Sequence, residues 1–222
     1  MKTLSKKHWI AFFIIVTIYI SFFMLVSSTY TSMFGAIFES LLCIFLIHNF
    51  LKESLEEYGF HFRNIHIQII SGIALTFLIT FILHYNAISN FISKNGFLFS
   101  AGELMKRFAD CFDSYALFSL DLFDTFVHAI EEEILYRGFI LTFFHKAFHS
   151  SSLSVFLSAL LFALAHLPFH QNWYTVIFAF IFGIVYGYLR IKDSEKFTIF
   201  SLCLAHFLQN FSLSFLLPFT NF

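Results

Sequence analysis

Two adjacent carboxylates and a guanidinium, Glu132-Glu133-x-x-x-Arg137, are followed along the chain by Phe162-x-x-x-His166 and His206-x-x-x-Asn210. Between the last two stands Gly183-x-x-x-Gly187, and all four fragments lie in otherwise apolar sequence. An ionisable side chain at the centre of a bilayer costs about 2.5–3.5 kcal/mol on insertion scales, so recurrent ones in apolar segments call for a functional reason. Glutamate and histidine are also residue types that can activate water. Residue types and setting together point to chemistry inside a membrane.

The elements that must position these groups follow from composition. The 222 residues are 59% hydrophobic and 12% charged, where a soluble domain has about 25% charged residues. Thirty-seven are phenylalanine, and the net charge of −1 gives no basis for binding nucleic acid. Cys43, Cys111 and Cys203 are far apart, which suggests neither a disulfide framework nor a thiolate metal site. Lys2, Lys6 and Lys7 precede an apolar run from Ile10 to Val26. That run exceeds the ~7–15 residues of a signal-peptide core, and no small-x-small site follows before Tyr30, so an uncleaved first membrane helix is expected.

Crossing the hydrocarbon takes about 20 apolar residues. Spans are predicted at 8–27, 33–51, 65–85, 124–147, 151–169, 173–190 and 197–217. The fold class is therefore all-α, a polytopic bundle of about seven transmembrane helices around a polar cavity. It forms one integral membrane domain over 1–222, with 124–217 as the core that carries the motifs. Segment 52–64 is amphipathic and expected at the surface. Segment 86–123 is the longest polar connection, ending in a short interfacial helix over 114–123. With the N-terminus inside, the inner segments hold Lys2, Lys6, Lys7, Lys52, Arg63, Lys146, Arg190, Lys192 and Lys196, and the outer ones Lys94, Lys106 and Arg107. That asymmetry favours a cytoplasmic N-terminus. The expected location is the plasma (inner) membrane of a prokaryote.

Spans four and five turn near Ser150, which lies 18 residues after Glu132 and 16 before His166. At ~1.5 Å per residue these depths are about 27 and 24 Å. Asn210 lies 16 residues beyond the turn near Ser194, again about 24 Å. His206 is one turn shallower on the face of Asn210. Two hairpins thus place glutamate, histidine and asparagine in one layer, and Gly183 with Gly187 offers a close-approach surface on span six. Glu133 and Arg137, four apart, can pair along their helix, whereas Glu132 points about 100° away. Glu131 is read as lining a polar cavity or the interface, Glu39 as a cavity residue or, more cheaply, as snorkelling, and His128 as a possible donor to Glu132.

The ordered motifs over 124–217 resemble the CPBP family of intramembrane proteases (CAAX proteases and bacteriocin-processing enzymes, or Abi), which includes the Ras-converting CAAX prenyl endopeptidase. Tyr136, where the family often has phenylalanine, is a mild departure. The resemblance implies an intramembrane endopeptidase acting on a membrane-associated peptide or protein tail. Its catalytic residues would be Glu132, His166, His206 and Asn210. Glu132 would be the general base that activates water with His166, His206 and Asn210 the oxyanion donors, and Glu133 and Arg137 supports for Glu132. No cofactor is required on this reading. Zinc held by Glu132, His166 and His206 is the alternative, although no His-Glu-x-x-His is present. The rival functions are a proton-coupled transporter and a non-catalytic immunity or partner protein on the same scaffold. The bilayer and a membrane-associated substrate are the expected partners, and the oligomeric state is not fixed by the sequence.

Overall fold

The computed structural model describes residues 4–25, 29–82, 115–167 and 173–216, and every regular element among them is helical. Helix α1 covers Lys6–Leu25, and α2 covers Thr29–Phe45 and closes in a π-helical turn over Leu46–Phe50. Helix α3 is Ile65–Ile82. Helix α4 starts as Tyr115–Glu132, continues as a π-helix over Glu133–Ile140 and ends as Leu141–Phe148. Helices α5, α6 and α7 are Ser151–Ala165, Trp173–Lys192 and Ile199–Leu216. Three stretches, Ser32–Phe50, Ile65–Ile82 and Trp173–Lys192, are long and apolar enough to cross a membrane. Their outward faces carry exposed rings and branched chains such as Phe34, Ile70, Phe77 and Trp173, a surface that hydrocarbon accepts and water does not. The chain is an integral membrane protein.

Local signals set the ends. His149 adopts the left-handed conformation (φ 53°) after α4, and the Ser150 hydroxyl then accepts from Leu153 N–H to start α5. Helix α4 begins at Tyr115, so the interfacial piece predicted over 114–123 is continuous with the fourth span. Asp121 and Asp124, which interrupt the apolar run near the predicted boundary at 124, both lie within this one helix. The rest of the predicted 86–123 connection, through Ser114, lies outside the described residues, as does Cys111.

Paired contacts give the packing directions. Phe12 stacks on Phe143 at 4.4 Å and Tyr19 meets Tyr136 at 6.1 Å, an antiparallel seam between α1 and α4. Helix α3 runs parallel to α7, with the Thr76 hydroxyl donating to the Ala205 carbonyl and Thr80 meeting Ser212. A Cβ on Gly72 would stand 2.7 Å from the Ser201 carbonyl, so this seam admits no side chain there. On α6, a Cβ at Gly183 would lie 2.8 Å from the Ala159 Cβ, and one at Gly187 would lie 3.3 Å from Val155. The predicted glycine pair is the close-approach surface of α6, and its partner is α5.

Segment 52–64 is not simply superficial. The Ser54 hydroxyl caps a short 3-10 turn, Leu55–Tyr58, and Gly59 ends it at φ 93°. Tyr58 is buried against Phe139, and the Gly59 carbonyl accepts from Ile199 N–H. The segment plugs one end of the bundle, because its apolar residues find α4 and α7 beside them. Lys146 binds Glu53 and Glu57 there, and His8 binds Glu53. Burial opposes ionisation of Glu53, but hydrogen bonds from Lys146, Tyr58 and His8 hold its carboxyl below the usual range. Burial, with the hydrogen bond to Glu53, pushes the Tyr58 hydroxyl well up.

Candidate active site

The first motif occupies the join between α4 and its π-helix. Glu132 is the last α-helical residue, and Glu133 and Arg137 lie inside the π segment. A π segment leaves backbone groups that need extra partners and often marks a functional position. One such partner is present, since the Tyr136 carbonyl accepts both Leu141 N–H and the Ser158 hydroxyl of α5 at 2.8 Å.

Glu133 is fully buried and its Oε1 accepts from Arg137 Nη1 at 3.0 Å, the pairing that the four-residue spacing predicts. The same oxygen accepts from His206 Nδ1 at 2.8 Å. Arg137, 1% exposed, also sits in an aromatic cage. Its guanidinium carbon lies 4.1 Å from the Phe162 ring centroid, 5.4 Å from Tyr186 and 5.5 Å from Phe182. One carboxylate and three ring faces therefore offset the cost of a buried cation. Phe162 earns its place in its motif here, since its ring lies 4.6 Å from the His166 ring and 6.4 Å from the His206 ring.

Glu132 differs from its neighbour. Its side chain is 20% exposed, and His206 Nε2 stands 3.5 Å from its Oε2. His206 thus lies between the two glutamates with one ring nitrogen toward each. His166 closes α5, and its Nδ1 donates to the Phe162 carbonyl at 2.8 Å, which leaves Nε2 as the acceptor of the neutral ring. Asn210 is half-buried one turn beyond His206 on α7.

The geometry refines the predicted layer. His206 meets the glutamates directly, although depth counting put it a turn too shallow. That count took the two hairpin turns as level. Instead Ile199 packs beside Gly138, with its Cδ1 3.5 Å from where a Cβ would stand, so α7 begins well inside the bundle. Glu133 holds His206 as well as Arg137, which sequence spacing on one helix could not show.

Glu39 does not snorkel. It is 5% exposed and its carboxyl is within hydrogen-bonding reach of Glu131, itself 4% exposed. His128 turns to Ser32 at 2.7 Å and to Asp124 and Glu131 at 3.5 Å, so the carboxylate it meets beside the motif is Glu131 and not Glu132. This second polar group joins α2 to α4 beside the first, and only the cost of a lone carboxylate in an apolar run signalled it. Phe182 and Tyr186 were also passed over. Their sequence signal is a four-residue spacing in step with Gly183 and Gly187. Among the described residues no three His, Cys, Asp or Glu side chains are disposed to hold a metal ion, and no step below is routed through one.

An all-helical membrane bundle with a buried Glu–Arg–His group beside a more open glutamate defines the class, a membrane protein with a polar site among its helices. Residues 114–212 match the family described as type II CAAX prenyl endopeptidase Rce1-like, a match that supports the CPBP family of CAAX proteases for that part of the chain. No curated protein and no solved structure matches it.

Proposed function

We propose that this chain hydrolyses a peptide bond near the end of a membrane-anchored protein tail, using water activated by Glu132 and His166. The observation that carries the reading is the division between adjacent carboxylates. The Glu132 side chain is 20% exposed, while Glu133 is sealed against Arg137 and His206. Only the first is open to a substrate and its attacking water.

In this mechanism a water lies between the Glu132 carboxylate and His166 Nε2. Glu132 takes a proton as the water oxygen attacks the carbonyl carbon, and the carbonyl oxygen gains the negative charge. His206 turns Nε2 toward that oxygen as a donor while Glu133 holds its Nδ1, a role for Glu133 like that of a catalytic triad's acidic member. The Asn210 amide adds a second donor, and each preorganised donor is worth about 2.7–4 kcal/mol in a dry site. Glu132 then returns its proton to the leaving amine as the C–N bond breaks. Arg137 keeps Glu133 in place.

The test is cleavage of a prenylated tail peptide by purified protein in liposomes, with the released C-terminal fragment identified by mass. Release by the wild type supports the proposal, and none across a panel of prenylated and unprenylated tails would sink it. The Glu39–Glu131 pair gives the transporter reading its one point of support, because paired buried carboxyls also serve as proton sites. Proton flux through the same liposomes, lost in Glu39→Gln and Glu131→Gln, would favour that rival.

A further inference from the structure

Three polar atoms around the buried pair have no hydrogen-bond partner within the protein: Glu133 Oε2, Arg137 Nη2 and the Tyr186 hydroxyl. Each residue is at most 1% exposed. Glu133 uses Oε1 twice, for Arg137 and His206, and Arg137 donates to it through Nη1. The second oxygen and second nitrogen remain. The Arg137 guanidinium lies 5.4 Å from the Tyr186 ring centroid, and the Tyr186 hydroxyl is in electrostatic reach of both Glu133 and Arg137. The three therefore belong to one locality, supplied by α4 and α6.

A buried polar atom without a partner costs about 1–3 kcal/mol, and more when charged. Three together ask for a ligand. An anion would face Glu133, a metal cation would face Arg137, and an apolar group would satisfy none of them. A carboxylate oxygen, a guanidinium N–H and a hydroxyl that can donate or accept are instead complementary to water, which in buried sites makes about three hydrogen bonds.

We propose that Glu133, Arg137 and Tyr186 hold a buried structural water, separate from the attacking one, and that Tyr186 is a positioning residue acting through it. The water donates to Glu133 Oε2, accepts from Arg137 Nη2 and exchanges its remaining bond with the Tyr186 hydroxyl. It ties α6 to the π-helix and fixes the carboxylate that orients His206. The role of Tyr186 in turnover rests on the proposed hydrolytic function, while the water itself does not.

Two measurements separate these parts. Brief synchrotron radiolysis in ¹⁸O-labelled water hydroxylates side chains that touch a bound water even when they are buried. Tyr186 is expected to be labelled at least tenfold faster than Phe139, which is 1% exposed and has no polar atom in its side chain. Labelling of Tyr186 no faster than Phe139 would overturn the water site whatever the protein's activity. Tyr186→Phe keeps the ring stacked on Phe182 (3.9 Å between centroids) and removes only the hydroxyl. Its kcat is expected to fall about tenfold, a loss of about 1.4 kcal/mol of transition-state stabilisation, with KM within twofold. An unchanged kcat would overturn the positioning role.

Discussion

Arg137→Met tests the energetics of the buried group most sharply. The variant fits the aromatic cage in length but leaves the Glu133 carboxylate, 0% exposed, without its cation 3.0 Å away. Removing one partner of a buried ion pair costs about 3–5 kcal/mol, chiefly because the remaining charge stays desolvated. For a chain of this size each kcal/mol lowers the unfolding midpoint by about 2–4 °C, so the expected fall is about 6–20 °C. Intrinsic fluorescence of the purified protein during heating, in one detergent, reads it. The double variant Glu133→Gln/Arg137→Met removes both charges and is expected to recover at least about 2 kcal/mol relative to the sum of the single losses. An Arg137→Met midpoint equal to wild type, or a double variant showing the full sum, would refute the claim that the pair is buried and coupled.

Gly183→Ala is expected to destabilise by about 1–3 kcal/mol, and Gly187→Ala by less. The first Cβ meets Ala159 Cβ and Cα at 2.8 and 2.9 Å, the second only a Val155 methyl at 3.3 Å; unfolding midpoints that reverse this order would contradict the α5–α6 packing. Gly59→Ala should lower the midpoint as well, because φ 93° disfavours a Cβ and that Cβ would stand 2.5 Å from the Arg190 guanidinium. The Glu53 carboxyl has its folded pKa held below the unfolded value, about 4.3. Its contribution is therefore present above that value and lost as pH falls through the folded one. The midpoint difference between wild type and Glu53→Gln should shrink in that acid window, and a constant difference would refute the assignment. Chelator treatment is expected to leave peptidase activity intact, with a loss restored by zinc as the contrary result.

Much of the site was legible because lipid makes polar residues conspicuous. Glu132, Glu133, Arg137, His166 and His206 could be singled out by cost alone, and the spacing of Glu133 and Arg137 foretold their ion pair. Gly183 and Gly187 foretold a close helix contact for a similar reason, since small residues at that spacing leave a groove. The relative height of the hairpins was not legible. It depends on Tyr58 and Ile199 meeting Gly138, contacts between segments distant in sequence, and on a π segment that changes the rise within α4. The burial of Glu39 was hidden in the same way, because its partner Glu131 lies on another helix. Aromatic cages escape a reading by polarity, so Phe182 and Tyr186 passed for ordinary packing.

The central claim is that adjacent glutamates have different tasks, Glu132 chemical and Glu133 structural. Its most direct measurement compares Glu132→Gln and Glu133→Gln for both turnover of the tail peptide and thermal midpoint. Loss of a general base removes about 10²–10⁴ in rate. Glu132→Gln should therefore lose at least a hundredfold in kcat with an unchanged midpoint, whereas Glu133→Gln should lose stability as well as activity. Wild-type turnover by Glu132→Gln, or the stability loss falling on Glu132→Gln in place of Glu133→Gln, would contradict the account.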